Sequence, residues 1–205
     1  MQDRWFRNFE SASANLNHEV FRLDLHIRRS VSPRVTRTTS KYERFMPTEW
    51  YVELVEVIAE NFLGDKKMLI LIHTDGTKTG QPISLNKVRL DTGTYNLWLN
   101  QGFINHQGQL EQYSEDLASS FRSFGQVEVL QEIRPDSAIK SMQSSDILIG
   151  AKSSFSFVAG LARGDRPVIY SNFWHKLPEN WTSVGERINR AKIIEKLEKQ
   201  LLSRG

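Results

Sequence analysis

Residues 146–156 read Asp146-Ile147-Leu148-Ile149-Gly150-Ala151-Lys152-Ser153-Ser154-Phe155-Ser156. Asp146-Ile147-Leu148-Ile149-Gly150 reads as a buried strand of a parallel sheet. Lys152-Ser153-Ser154 is then its turn, and residues 155–163 the helix that follows. Pro167-Val168-Ile169-Tyr170 is the next strand. A strand, turn, helix and strand within so few residues is one parallel βαβ unit, and it sets the α/β class for the chain.

Outward from this unit the alternation continues. Pro135 opens a short helix over 135–144, at a position where proline is tolerated. Val127 to Leu130 is a strand, and residues 108–124 are predicted as a helix. Residues 83–99 alternate like strands around Asp91-Thr92-Gly93, which predicts a hairpin excursion. Met68 to Ile72 is a second continuous apolar strand, with the loop Thr74-Asp75-Gly76-Thr77-Lys78-Thr79-Gly80 at its C-terminal end. Pro47 opens a helix whose Tyr51, Leu54, Val55, Ile58 and Phe62 share one face, and Gly64 stops it. Residues 19–27 alternate apolar and polar, a strand that ends at Arg28-Arg29, and 36–41 are a polar loop. Val184 to Leu202 is amphipathic through Val184, Ile188, Ala191, Ile194, Leu197 and Leu201. It is expected as a terminal helix packing on the sheet, with a dimer helix as the alternative. The expectation is one Rossmann-like α/β domain over 1–205, its parallel sheet covered by helices on both faces.

Composition narrows the function classes. With 27 basic against 24 acidic side chains, the net charge of +3 is too small to argue for a nucleic-acid partner. No cysteine is present, which excludes disulfides, thiolate zinc sites and a cysteine nucleophile. The five histidines, His18, His26, His73, His106 and His175, show no metal-ligand spacing, so no metal is expected. Met1 to Glu10 lacks the apolar core of a signal peptide, and no window nears the about 18 apolar residues of a membrane span, so a cytoplasmic protein without a transmembrane segment is expected.

Ligands of parallel α/β sheets bind at the C-terminal ends of the strands. Arg28, Asp75, Lys152 to Ser154, and Asn172 to His175 are the polar residues the reading places there. Arg28 and Arg29 offer forked, permanently charged donors that match phosphate oxygens, and one of two neighbours can turn into a cleft while the other faces solvent. His26 alternates with Arg28 and leaves the strand on the same side. Lys152, Ser153 and Ser154 precede a helix, where hydroxyls and free N–H groups form an anion site, although serine there is also simply a good N-cap. Gly150-Ala151-Lys152-Ser153 is not a P-loop, because position 145 is Ser145 and the lysine does not directly follow Gly150.

His26-Ile27-Arg28-Arg29, followed by Pro47-Thr48-Glu49-Trp50-Tyr51, resembles the His-x-Arg-Arg motif of the α-1,2- and α-1,6-fucosyltransferases and their bacterial relatives. Ser145 to Ser156 resembles their later motif, in which an aspartate precedes a strand and a serine pair, and His73-Thr74-Asp75 resembles the intermediate one. Pro167 to Tyr170 and Phe173-Trp174-His175 look like the strand and aromatic turn that close the domain. The resemblance covers roughly residues 20–178. It implies the C-terminal, GDP-fucose-binding half of a GT-B fold. Arg28 would then contact the β-phosphate as the catalytic residue, beside Arg29, and His26 would lie near guanine and ribose. Lys152, Ser153 and Ser154 would take phosphate oxygens, Asp136 would read the guanine edge, and Asp75 would line the nucleoside pocket. The implied reaction is transfer of the sugar from a GDP-sugar to the hydroxyl of a glycan or other acceptor, with inversion and without a metal or other cofactor. A partner chain would supply the acceptor domain, and residues 1–18 would be an N-terminal helix left from it. The chain departs from the family at Arg29-Ser30-Val31, where an aspartate usually stands. That departure motivates the alternative, a truncated and non-catalytic nucleotide-sugar-binding module. A nucleic-acid-binding domain rests on charge alone.

Overall fold

The structure, a computed structural model, describes residues 19–28, 46–74, 83–84, 109–110, 116–131, 134–171, 173 and 175–202. Strand β1 (Val20–Ile27) is followed by helix α1 (Thr48–Phe62) and strand β2 (Lys67–Thr74). Two short strands, β3 (Ile83–Ser84) and β4 (Gln109–Leu110), pair antiparallel outside the main sheet. Then come β5 (Gln126–Gln131), α2 (Pro135–Ser144), β6 (Ile147–Gly150), α3 (Ser154–Leu161), β7 (Val168–Ser171), β8 (Thr182–Val184) and α4 (Arg190–Leu202).

The main sheet has 6 strands in the order β5-β2-β1-β6-β7-β8, and every pairing in it is parallel. With the β3–β4 pair set aside this is the strand order of a Rossmann-like sheet, and the α/β expectation holds. The chain runs outward from β1 through β2 to β5, then returns across the sheet to β6 and runs outward the other way. The order therefore reverses between β1 and β6, the kind of switch point at which ligands of open α/β sheets bind.

One face of the sheet carries the main core. Phe21, Leu23, Leu25 and Ile27 of β1 pack there with Trp50, Tyr51, Leu54, Val55 and Ile58 of α1, and with Ile193 and Leu197 of α4. Proline at 47 (φ −61°) leads into α1, Glu49 places a negative charge in its first turn, and Gly64 (φ 56°) supplies the left-handed residue after its end. Helices α2 and α3 cover the other face, where Leu148 meets Ala138, Met142 and Ala159. Gly160 lies against Trp181, so close that a methyl group there would stand 2.4 Å from Cη2 of the indole.

β1 alternates apolar and polar side chains, and both of its faces are buried. Arg22 and Asp24, on the side away from the main core, lie beneath α2 and are fully buried. The Arg22 guanidinium donates to both carboxylate oxygens of Asp24 (2.9 and 3.1 Å), to Ser144 Oγ (2.9 Å), and to the carbonyl and hydroxyl of Ser141 (2.8 and 2.7 Å). His73 of β2 meets Asp24 through Nε2 at 2.8 Å. Burial alone would push the Asp24 carboxyl up. The hydrogen bond to His73 and the Arg22 charge outweigh it and hold the group below its ordinary value.

Two expected elements differ. The helix expected over 108–124 is not formed: 109–110 belong to β4, and residues 116–124 make turns around a single 3-10 turn at Ser119–Phe121. Asp116 accepts the Ser119 N–H at 3.2 Å and closes that turn, which still buries Leu117 and Phe121 in the core. The spacing of those two residues imitates a helix with less than one turn of it. At the other end, the helix expected from Val184 starts only at Arg190. Val184 belongs to β8, and Asn189 caps the helix by accepting the Lys192 N–H at 3.1 Å. Ala191 is exposed, and Ile193 and Leu197 carry the buried face. The hairpin turn expected at 91–93, the loop over 36–41 and residues 1–18 lie outside the described residues.

Candidate functional site

Arg28 leaves β1 and the turn Ala151–Ser153 leaves β6, and these are neighbouring strands. Their register pairs Leu25 with Ile149. The residue after β1 and the serine turn after β6 thus follow neighbouring strands at the point where the strand order reverses. Arg28 is half-buried.

The turn is built tightly. Ser153 donates its N–H to the Ala151 carbonyl at 2.7 Å, and its hydroxyl caps α3 by accepting the Phe155 N–H at 3.2 Å. Its backbone is extended (φ −149°, ψ 134°), as an N-cap requires. Tyr170 of β7 donates to the Ser153 carbonyl at 3.0 Å and anchors the turn from beneath. The Ser153 side chain is buried, whereas Ser154 is exposed at the first position of α3. Lys152 keeps most of its side chain out of water and lies 3.6 Å from Glu186, beyond β8. The N-terminus of α3, capped by Ser153 and carrying the positive end of the helix dipole, thus follows β6 at the C-terminal edge of the sheet, with Lys152 beside it.

His175 completes this edge. Its ring stacks on Phe157 (centroids 4.1 Å apart, planes at 17°), and its Nε2 lies 3.2 Å from Ser154 Oγ. The sequence places 173–175 at a strand end, but the stacking partner, one turn into a helix from another βα unit, is visible only in three dimensions.

His26 is buried on the face shared with Asp24. Its Nδ1 is hydrogen-bonded to Ser156 Oγ, and its ring edge meets Phe155 with centroids 5.4 Å apart. Ser156 Oγ also accepts the Ala151 N–H at 3.1 Å. Gly150 makes this approach possible: a Cβ there would lie 3.1 Å from Ser156 Cβ and 2.9 Å from the Tyr170 ring.

The other expected residues lie elsewhere. Asp136 is exposed in the first turn of α2, 3.3 Å from Arg134. That helix follows β5 and crosses to β1, where its Ser141 and Ser144 accept from Arg22. Arg29 and Asp75 lie outside the described residues, as do Asn172 and Trp174. Among the described residues no group of three or more His, Asp or Glu is disposed to hold a metal ion. Among them, too, no helix is long and apolar enough to cross a membrane.

Sequence reasoning missed the buried Arg22–Asp24–His73 set. His73 Nδ1 is buried and has no hydrogen-bond partner among the described residues. Arg22 and Asp24 were legible as the polar positions of β1, but not as an ion pair under a helix.

No protein-family model matches the chain, and no curated protein matches it by sequence. Among solved structures it is similar to Escherichia coli ADP-heptose lipopolysaccharide heptosyltransferase II, at 14% identity and TM-score 0.48, over 97% of this chain and 51% of that one. It is similar to the E. coli heptosyltransferase WaaC with ADP, at 12% identity and TM-score 0.44, over 91% and 47%. It is also similar to POFUT1 in complex with GDP, at 12% identity and TM-score 0.37, over 80% and 45%. The chain spans about half the length of each of these proteins.

Proposed function

We propose that the chain binds a nucleotide sugar by its diphosphate at the switch point between β1 and β6, as the donor half of a glycosyltransferase. The observation that supports this reading is strand adjacency at the C-terminal edge of the sheet. Arg28 ends β1, and Lys152, Ser153 and the α3 N-terminus follow β6, on adjacent strands at the reversal of strand order. Helix N-termini and forked guanidinium donors both favour phosphate oxygens.

The sequence resemblance supplies the chemistry. The bond between the sugar's anomeric carbon and the diphosphate oxygen breaks as the acceptor oxygen attacks from the opposite face, with inversion. The acceptor's proton passes to a base from the acceptor side. Negative charge builds on the leaving diphosphate, and Arg28 with the α3 N–H groups stabilises it more in the transition state than in the ground state. The resemblance favours GDP-fucose as donor, and Arg29 and Asp75 join the site under the same reading. Asp136, exposed in the first turn of α2, is the contact with the base under the same reading.

A second reading is a binding module without turnover, favoured by Val31 in the place of the family aspartate. Calorimetry with GDP, UDP, ADP and their sugars tests the site, since a ligand bound only by the native state also raises its melting temperature. Binding by the wild type and its loss in Arg28→Ala is the expected result. Equal affinity in both refutes the role of Arg28. Sugar transfer or hydrolysis measured alongside separates enzyme from module.

A further inference from the structure

Family resemblance makes His26 a nucleoside contact, but its surroundings assign it a different task. We infer that His26 is a positioning residue: acting through Ser156, it holds the Ala151–Ser154 turn in register with Arg28. This rests on the donor-site reading above and deepens it.

The chain of contacts is short and buried. The His26 ring is only 7% exposed, and Ser156 is wholly buried. His26 Nδ1 bonds Ser156 Oγ, and the same oxygen accepts the Ala151 N–H at 3.1 Å. Ala151 in turn accepts the Ser153 N–H through its carbonyl at 2.7 Å. Both polar groups of Ala151, the first residue after β6, are therefore engaged: one by the His26–Ser156 pair, the other by the capping residue of α3. His26 stands two residues before Arg28 on β1. One hydroxyl thus couples the strand end bearing the guanidinium to the turn bearing the anion-binding N–H groups. Without the imidazole, Ser156 Oγ loses a buried partner and is free to turn away from Ala151.

Two substitutions separate positioning from contact. An asparagine side chain places its amide where imidazole Nδ1 sits, and can present a donor or an acceptor there. A glutamine reaches the position of Nε2 instead. The measurements are hydrogen exchange of the Ala151 and Ser153 amides in the ligand-free full chain, and calorimetry with GDP and with inorganic pyrophosphate. Positioning predicts that His26→Asn keeps amide protection and affinity within about twofold of wild type. It also predicts that His26→Gln and Ser156→Ala weaken both by roughly tenfold, the usual scale for a lost buried hydrogen bond. Retention of affinity in His26→Gln with loss in His26→Asn overturns the inference, because Nε2 then touches the ligand. Unchanged affinity and exchange in Ser156→Ala overturns it as well. Should the wild type bind neither GDP nor pyrophosphate, the donor-site reading falls and the exchange arm still decides. Faster exchange at Ala151 in Ser156→Ala and His26→Gln but not in His26→Asn supports the coupling, and equal exchange in all four proteins removes it. Should His26→Gln fail to fold, Ser156→Ala, which deletes one oxygen, carries the same comparison.

Discussion

Replacing Asp24 by asparagine changes almost no volume, yet it strips the counter-charge from a guanidinium that water cannot reach. Arg22 is 2% exposed and gives Asp24 two of its bonds, at 2.9 and 3.1 Å, while His73 Nε2 occupies the second carboxylate oxygen at 2.8 Å. Asparagine keeps one acceptor oxygen and turns an amide N–H₂ toward groups that are themselves donors. Two other partners of the guanidinium, Ser141 and Ser144, are neutral. Breaking a buried pair in this way costs about 3–5 kcal/mol. For a domain of this size each kcal/mol shifts the melting temperature by roughly 2–4 °C, so a fall of about 6–20 °C is expected. Urea unfolding followed by circular dichroism measures the free energy, and a thermal melt checks it. The double variant Arg22→Met/Asp24→Asn should recover a large part of the loss, because an apolar side chain in the same space needs no counter-ion. The pH dependence follows from the depressed Asp24 value. A carboxyl held below its unfolded value stabilises the fold above that unfolded value, about 3.9, and the contribution fades as pH falls through the native one. The wild type should therefore lose stability on the acid side more steeply than Asp24→Asn. A loss below about 1 kcal/mol, the range of exposed pairs, with matching acid limbs for the two proteins, would refute the view that Arg22 and Asp24 form a desolvated pair.

Arg28→Ala should weaken GDP binding about ten- to a hundredfold, the range of a charge-assisted hydrogen bond, while Arg29→Ala is milder; calorimetry reads both. Ser153→Ala should cost about 1 kcal/mol of stability through the lost α3 cap, whereas Ser154→Ala, at an exposed position, should leave the melting temperature in place and lower pyrophosphate affinity. A loss of stability in both serine variants, or in neither, would count against the division of roles. Gly160→Ala should destabilise by about 1–3 kcal/mol, because its methyl group meets the Trp181 indole at 2.4 Å; a neutral urea midpoint would show that the indole moves aside.

Much of the candidate site could be read from residue order. Arg28 follows a strand whose alternation is plain, and Lys152, Ser153 and Ser154 follow one whose apolar run is plain, so their place after strand C-termini follows from local pattern alone. Their partners could not be read. Ser156 lies far along the chain from His26, and only the crossover that puts β6 beside β1 brings the two together. Phe157 beneath His175 and Trp181 against Gly160 are contacts of the same long-range kind.

By itself the chain's residue pattern determined what short-range physics controls: apolar runs for β2 and β6, proline-led starts for α1 and α2, and hence a parallel sheet with helices on both faces. The tertiary structure decided strand order, and with it the position of the switch point. It also decided that the polar side of β1 lies under a helix rather than in water. Periodicity distinguishes the two faces of a strand but not what covers each. Three-residue β8 and the single turn at Ser119–Phe121 exist because long-range packing stabilises them, and segments that short carry no periodic signal of their own.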